Sequence, residues 1–349
     1  MRQCRAGGAG VGLSRRATQD EGETGVRETR SGSRTAVLAL LAGVLLAGCE
    51  ARLNLEGVEW QRGQTKMRFD MFQAIASRAE RVVAVSSTGA ILISENRGAN
   101  WRRQDLDGNP TLIDVAACPD GRFVALDTRR KLWVMNGDDW QERPIDTMES
   151  VLSLTCDPRN RVWVTAAFST LLHSTDSGET WTMQSMDEDL QFTTIQFVDE
   201  DWGVATGEFG TVAITEDGGA SWNPAEYIPN EFYPMAAVFT DRQNGFVAGL
   251  NGITWVTTDG AMSWTRHDAP TPTPLYGITA GSGQVVAVGE GGAVFSWDGR
   301  AWRPVAGVPT MLAYLRAVEV LDDVTILVGG GFGAIMKLST GEPVTMAEG

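Results

Sequence analysis

Short apolar runs alternate with turn-forming residues through most of this chain, and the alternation is clearest over residues 235–266. The apolar runs there occupy residues 235–240, 246–250 and 253–258, and a fourth run begins at Ser263. The pair Asn251-Gly252 between two of the runs is a two-residue hairpin signal, because both residue types accept positive φ. Runs this short, separated by Asp, Asn and Gly, predict four antiparallel strands in each unit.

Tryptophan recurs at a nearly constant interval along the same part of the chain. The residues are Trp60, Trp101, Trp140, Trp181, Trp222, Trp264 and Trp302. Successive gaps are 41, 39, 41, 41, 42 and 38 residues, and a period of this length is the signature of a repeat architecture. Four strands in each such repeat predict the blades of a β-propeller.

The two ends of the repeat region predict how the ring closes. Residues 315–338 contain three strand-like runs without a tryptophan, whereas residues 55–61 form an isolated run that carries Trp60. If this first strand completes the last blade, no sheet edge is left free. We therefore predict an all-β fold over residues 55–340, a seven-bladed β-propeller of four-stranded antiparallel blades, with the last blade closed by the N-terminal strand.

A turn motif precedes several of the tryptophans. It reads Ser/Thr-x-Asp-x-Gly-x-x-Trp and is complete at residues 174–181 and 215–222. In five copies of the motif, complete or altered, the Asp position is occupied by Asn96, Asp176, Asp217, Asp259 and Asp298. Such a side chain accepts backbone N–H groups of its own turn, and Gly supplies a residue with positive φ. We interpret these five residues as structural turn residues, and the seven tryptophans as structural repeat residues.

This motif is the Asp box, or BNR repeat, of sialidases, other glycosidases, sorting receptors and the photosystem II stability/assembly factor-like family. The chain resembles the last of these. Residues 238–249 resemble the family's Phe-x-Asp and Gly-Phe-x-x-Gly strand pair, and residues 289–294 and 329–335 resemble its Gly-rich hairpin. The resemblance covers residues 55–340 and implies a protein without catalysis, which binds newly made reaction-centre protein during assembly.

The family's arginine-lined binding face is not carried over to this chain. Its arginines are scattered along the sequence, and the formal net charge is −15. A surface this acidic repels phosphate backbones, which argues against a nucleic-acid partner. It also argues against electrostatic docking on anionic lipid. The resemblance therefore implies for this chain only a propeller that binds another protein.

The N-terminal part of the chain predicts export. Residues 1–33 have no apolar period and are expected to be disordered or to precede the true start. Residues 34–48 join a positive flank to a short apolar core, which is typical of a signal peptide and too short to span a bilayer. The signal ends in Leu-Ala-Gly before Cys49, which resembles the bacterial lipobox and implies that Cys49 is lipidated. An ordinary cleaved signal with a coincidental Cys is the alternative.

We expect a lipid-anchored linker over residues 49–54 and a flexible tail over residues 341–349. Two or more acyl chains anchor a protein stably, and lipoproteins of this class carry several. Glu50 follows the Cys, and similarity to enterobacterial sorting then favours the outer membrane, with the propeller facing the periplasm.

The alternative function is a sialidase-like glycoside hydrolase that acts on a carbohydrate in the axial cleft. Such an enzyme needs an arginine triad, a Tyr nucleophile with a Glu partner and an acid/base Asp. Of the four tyrosines, Tyr314 is the one close to an arginine, Arg316, on a predicted axis-facing strand. The Arg-Ile-Pro segment usual in these enzymes is missing from the sequence. We therefore predict no catalytic residues.

Cys118 and Cys156 fall at similar places in neighbouring repeats. They can pair in an oxidising periplasm. Equivalent points on adjacent blades are, however, often farther apart than the Cα separation of roughly 4.4–6.8 Å that a disulfide requires. A disulfide and two free cysteines both stay open, and the distance favours free cysteines. The sequence contains no zinc spacing, P-loop or nucleophile elbow, so we predict neither a metal nor a cofactor.

Together these features predict a non-enzymatic, periplasm-facing scaffold. Its expected partners are a protein, namely a membrane complex under assembly or an envelope exporter, and the lipid bilayer through the anchor at Cys49.

Overall fold

Seven antiparallel sheets form the fold in the computed structural model, which describes residues 65–340. The first three blades contain β1 (Phe72–Arg78), β2 (Arg81–Ser86), β3 (Ala90–Ser94), β4 (Arg102–Asp105); β5 (Leu112–Ala117), β6 (Phe123–Asp127), β7 (Lys131–Asn136), β8 (Asp139–Pro144); β9 (Val151–Cys156), β10 (Val162–Ala166), β11 (Thr170–Ser174) and β12 (Thr182–Ser185). The next two contain β13 (Phe192–Phe197), β14 (Gly203–Gly207), β15 (Val212–Thr215), β16 (Asn223–Pro224); β17 (Ala236–Phe239), β18 (Gly245–Ala248), β19 (Thr254–Thr257) and β20 (Thr265–Arg266). The last two contain β21 (Leu275–Gly281), β22 (Gln284–Gly289), β23 (Val294–Trp297), β24 (Trp302–Pro304); β25 (Leu315–Val320), β26 (Thr325–Gly330) and β27 (Ile335–Ser339).

Consecutive strands are hydrogen-bonded neighbours in every sheet, so each blade is a simple meander. The first strand of each blade is innermost, and these inner strands lie side by side around an axis, with β25 of the last blade beside β1 of the first. This arrangement confirms the predicted seven-bladed β-propeller. Within residues 65–340 the helical structure is limited to four 3₁₀ turns: Glu208–Gly210, Leu250–Gly252, Glu290–Gly292 and Gly331–Gly333. No helix in this part of the chain is long and apolar enough to cross a membrane.

The last blade has three strands among the described residues, as its sequence indicated. The strand predicted to complete it, residues 55–61 with Trp60, lies outside the described residues. The same holds for residues 1–33, the signal segment 34–48, Cys49 with its linker and the tail 341–349, so these stay predictions.

Apolar side chains fill the space between neighbouring blades. Each of the seven inter-blade cores in the described part of the chain joins residues of two successive blades. Six of them include a repeat tryptophan, which packs between its own blade and the preceding one: Trp101, Trp140, Trp181, Trp222, Trp264 and Trp302. The core between the last two blades draws its buried residues from β22, β23, β25 and β26 and includes none of these six tryptophans. The recurring indole therefore marks the inter-blade layer.

The strands of a blade alternate in direction, so its turns are divided between two ends of the ring. We call one end the Asp-box face, where the first turn and the third turn of each blade lie. The opposite end, the connection face, holds the second turns and the blade-to-blade connections: residues 65–71, 87–89, 106–111, 128–130, 145–150, 167–169, 186–191, 208–211, 225–235, 249–253, 267–274, 290–293, 305–314 and 331–334. Backbone hydrogen bonds join these segments, such as Ile228 N–H to the Gly210 carbonyl and Gly333 N–H to the Asp70 carbonyl, both 2.8 Å.

A disulfide joins Cys118, just after β5, to Cys156 at the end of β9. The expectation that these positions are too far apart is wrong, because their Cα atoms are 5.0 Å apart. Both residues lie at the ends of inner strands, and blades that fan out from an axis approach each other most closely there. The bond thus links the second blade to the third at the Asp-box end.

We expect this pair to give no free thiol when the unfolded, unreduced chain is titrated. Closing a loop of 38 residues restricts the unfolded chain, so replacing both cysteines by Ala should lower the free energy of unfolding by about 3–4 kcal/mol. Denaturant unfolding of the double variant, with reduced wild type as the control, measures this loss. Equal stability of oxidised and reduced wild type would contradict it.

Candidate functional site

A cavity of about 370 Å³ lies on the axis of the ring. It is lined by residues of all seven inner strands or of the segments just before them. Six of these inner strands carry a β-bulge at their start. At the bulge the inner strand has one residue more than the partner strand that is paired with it. The extra residues, all lining the cavity, are Gln73, Ile113, Leu152, Thr193, Tyr276 and Arg316. A bulge re-aims its side chain, so the register of the blades places a ring of side chains at the connection-face end of the cavity.

Two carboxyl groups in the cavity tie neighbouring inner strands together. Asp114 accepts hydrogen bonds from the Leu154 N–H (2.8 Å) and the Ser153 hydroxyl (3.0 Å) of the next blade. Glu319 accepts from the Ser77 N–H (3.0 Å) and hydroxyl (2.5 Å), which joins the last blade to the first. The inner strands are not paired as a sheet, so these side-chain bonds replace a backbone ladder between them.

Enclosure in the cavity changes the acidity of both groups. Burial raises the pKa of the Glu319 carboxyl to about 7, although its hydrogen bonds from Ser77 oppose the change. Burial also raises the pKa of the Asp114 carboxyl, against its hydrogen bonds and the more distant charge of Arg316. The hydrogen-bond donors that surround the two groups are already engaged with them, which suits a structural role.

The residues of the predicted enzymatic alternative are only partly brought together. Arg316 lines the cavity, and it is the one arginine among the described residues that do so. The Tyr314 hydroxyl accepts a hydrogen bond from Gln73 (3.2 Å), and the Tyr276 hydroxyl donates to Glu290 (3.0 Å). A sialidase-like site needs three arginines on the substrate carboxylate, and the described part of this cavity supplies one.

The Asp-box side chains are engaged within their own turns. Asp176 accepts from the Thr180 N–H (2.9 Å), the Thr180 hydroxyl (2.6 Å) and the Ser174 hydroxyl (2.8 Å). These bonds, led by the Thr180 hydroxyl, lower the pKa of Asp176 to about 2. The same pattern recurs at Asp217 and Asp259, and Asn96 accepts the equivalent backbone bond from the Asn100 N–H.

The Asp-box turn at Asp298 is shorter than the others and differs in its contacts. Asp298 accepts hydrogen bonds from two backbone N–H groups and pairs with Arg303 at 2.7 Å. All five side chains lie on the Asp-box face, away from the connection-face mouth of the cavity. Within residues 65–340 no group of three or more His, Cys, Asp or Glu side chains is arranged to hold a metal ion.

The connection face carries a feature that the sequence pattern did not identify. Ten of the thirteen large hydrophobic side chains that are exposed in residues 65–340 lie there: Phe69, Met71, Met148, Phe168, Phe209, Tyr227, Tyr233, Leu250, Leu312 and Phe332. The Asp-box face holds Met262 and Val324, and Met183 lies on the outer strand β12. The available signal was a phenylalanine within the Gly-rich hairpin turns, as in Gly-Phe-Gly at 331–333.

Comparisons at the level of sequence point in one direction. The model of the family described as photosynthesis system II assembly factor YCF48 matches residues 135–212 and 179–313. The photosystem II assembly lipoprotein Ycf48 of Synechococcus sp. (strain CC9902) is 29% identical over 135 residues, which cover 37% of this chain and 40% of that protein. The chain spans about half the length of the curated relatives it matches.

Solved structures share the fold. The structure titled "YCF48 bound to D1 peptide" superposes with a TM-score of 0.65 at 12% identity, over 78% of this chain and 93% of that one. Virginiamycin B lyase from Staphylococcus aureus gives a TM-score of 0.69 at 14% identity, over 80% and 97% of the two chains. At these identities the likeness concerns the fold alone, and the same fold carries both a peptide-binding protein and a lyase.

The raised pKa of Glu319 predicts a pH dependence of stability. Between pH 4.5 and about 7 the folded state holds a proton that the unfolded chain releases, so the free energy of unfolding should fall as pH rises through this window. Asp114 acts in the same direction. Glu319→Gln keeps an acceptor for Ser77. It should remove the part of the decrease in unfolding free energy that Glu319 causes, about 1–3 kcal/mol after allowance for water in the cavity.

Denaturant unfolding at pH 5 and pH 8 measures this share. The exposed Glu95→Gln serves as the control. If Glu319→Gln and wild type lose equal stability between the two pH values, Glu319 is not protonated in the folded state at pH 5.

Proposed function

Because the chain belongs to the photosynthesis system II assembly factor YCF48 family, whose model matches just over half of it, we propose that it is a non-enzymatic scaffold. It binds a segment of another protein and thereby aids the assembly or stability of a membrane protein complex. The related solved protein is recorded with a peptide bound, which supports a protein segment as the kind of ligand.

The observation that carries this proposal is the uneven distribution of exposed apolar side chains. In the described part of the chain the connection face holds ten such side chains and the Asp-box face two. Exposed apolar clusters on a soluble domain mark interaction sites. The Asp-box face, whose side chains are engaged in their own turns, lacks such a cluster among the described residues.

We place the scaffold in the cell envelope, lipid-anchored through Cys49 and facing the periplasm, with the outer membrane favoured. Relatives named as lipoproteins support an anchor. The Cys118–Cys156 disulfide supports an oxidising compartment, because such bonds are rare in the reducing cytosol. A chain that faces the periplasm meets newly inserted membrane proteins on that side of the bilayer.

Capture from native membranes tests the scaffold role. The tagged full-length chain, expressed in its own cell and purified from solubilised membranes, should enrich the chains of one membrane complex over an unrelated tagged lipoprotein. Enrichment of no chain above that control would remove the basis for an assembly role.

A screen with fluorogenic glycosides separates the scaffold from the sialidase-like alternative. We expect no turnover, because the described part of the axial cavity offers one arginine where that chemistry needs three. Turnover that is abolished by Arg316→Ala would establish a carbohydrate-active enzyme instead.

The proposed anchor gives a prediction of its own. Wild type should fractionate with the membrane, whereas Cys49→Ala should be found in the soluble fraction, because the variant lacks the acylated residue. Cys4→Ala, which lies before the signal segment, is the matched control and should behave as wild type. Membrane-bound Cys49→Ala would show that Cys49 is not the anchor.

A further inference from the structure

Three exposed phenylalanines on the connection face occupy an unfavourable backbone conformation. Phe168, Phe209 and Phe332 have φ values of 55°, 58° and 55°, in the left-handed region. Each lies in the second turn of its blade and is followed by a residue that also has positive φ. Their side chains are 52%, 58% and 62% exposed. Left-handed conformations are rare for bulky residues and mark either strain or function.

In the equivalent turns of two other blades, Asn or Gly occupies the left-handed position. Asn251 has φ 57° and Gly291 has φ 64° at the same turn position, and these residue types accept that conformation readily. The three phenylalanines therefore cost stability, and their exposed rings recover little of it by burial. A large ring held outward at a site where Asn or Gly folds better is explained by contact with something outside the chain.

Further apolar side chains extend these rings along the face from the third to the seventh blade. We call this set the apolar arc: Phe168, Phe209, Tyr227, Tyr233, Leu250, Leu312 and Phe332. In chain order its members lie in the second turns of the third, fourth, fifth and seventh blades and in the connections after the fourth and sixth blades, whereas residues 186–191, 267–274 and 290–293 contribute none. Aromatic residues that are presented together are the usual anchors of a protein interface.

From the third blade to the connection before the seventh, the charges along the arc have one sign, whereas Lys66 and Arg68 lie in the segment 65–71 that is hydrogen-bonded to the turn of Phe332. Its connecting segments, from residue 167 to residue 314 on the connection face, hold eight carboxylates and no Lys or Arg among the described residues: Asp187, Glu188, Asp189, Glu208, Glu226, Glu231, Asp268 and Glu290. Asp268 is already paired with Arg266 on the adjoining strand. Complementary charge at an interface rim selects the partner and speeds association. A second copy of this acidic arc, or an anionic lipid surface, would be repelled.

We propose that the apolar arc docks a partner segment whose apolar side chains are flanked by lysine or arginine. The proposal rests on the scaffold function above and names the chemistry of the segment it holds. The phenyl rings of Phe168 and Phe209, on neighbouring blades, contact the apolar side chains of the segment. The carboxylates around them, such as Glu226 and Glu231, contact its cations.

The probe is a fluorescein-labelled ten-residue peptide of alternating leucine and lysine, titrated with the full chain by fluorescence anisotropy. The double variant Phe168→Asn, Phe209→Asn should bind it at least tenfold more weakly, while its melting temperature stays equal or rises, because Asn accepts the left-handed turn better than Phe. Met262→Ser, which removes an exposed apolar side chain from the Asp-box face, is the matched control and should leave binding unchanged.

The charge contribution is tested separately. Glu226→Gln with Glu231→Gln should weaken binding and reduce its dependence on salt, whereas Glu80→Gln on the Asp-box face should do neither. A peptide with glutamate in place of lysine should not bind. Equal binding of both peptides, or unchanged binding by the Asn variant, would overturn the proposal, as would stronger binding of the chain to anionic vesicles than to the peptide.

Capture from native membranes separates this proposal from the function on which it rests. If wild type captures a complex and the Asn variant captures it equally well, the scaffold function stands and the arc is not its site. If wild type captures nothing above the control lipoprotein, the scaffold function itself fails. Loss of capture in the Asn variant alone, together with its loss of peptide binding, supports both.

Discussion

Burial of apolar side chains between neighbouring blades is the interaction on which this structure depends. A four-stranded sheet has two apolar faces and no core of its own, so a blade becomes stable only when both faces are covered by its neighbours. Blade-by-blade packing around an axis meets this requirement for every sheet, provided that the last blade packs on the first. A repeat tryptophan packs in six of the seven layers of the described chain, fully buried at Trp302 and at the edge of the layer at Trp101, Trp181, Trp222 and Trp264. The disulfide and the carboxylates of Asp114 and Glu319 add cross-links where the inner strands approach each other.

Features that depend on short stretches of chain could be predicted from the sequence. The strands around residues 235–266 and 315–338 follow from local apolar runs, and the turn at Asn251-Gly252 has both residues at positive φ as the dipeptide indicates. The number of blades followed from counting the tryptophan repeats together with the unpaired runs at residues 55–61 and 315–338, because each repeat is one blade. Periodicity is a property of the chain itself and needs no tertiary coordinates.

Features that depend on how separate blades meet could not be predicted in this way. The bulged residues that line the axial cavity, such as Gln73 and Tyr276, are set by the register of paired strands, which the sequence does not display, whereas Arg316 was expected on an axis-facing strand. The separation of Cys118 and Cys156 was overestimated because distance between blades varies with distance from the axis, and both residues lie near it. The apolar arc was missed because its members are far apart in sequence and share a face only because the second turns and the blade connections reach the same end of the ring.

The two faces differ because of the residues that form their turns. On the Asp-box face, hydroxyl and carboxylate side chains accept hydrogen bonds from the N–H groups of the turn. The same bonds recur from blade to blade, so the oxygens of these side chains are already hydrogen-bonded. On the connection face backbone hydrogen bonds join the turns to the neighbouring connections, and side chains such as Arg130 and Ser169 add to them in some blades, whereas a phenyl ring forms no such hydrogen bond. Residues at those tips are free to differ from blade to blade, and three are phenylalanines at a position where the backbone disfavours them. The side chains of one face thus close its turns, and on the other face stability is given up at the positions where we propose recognition.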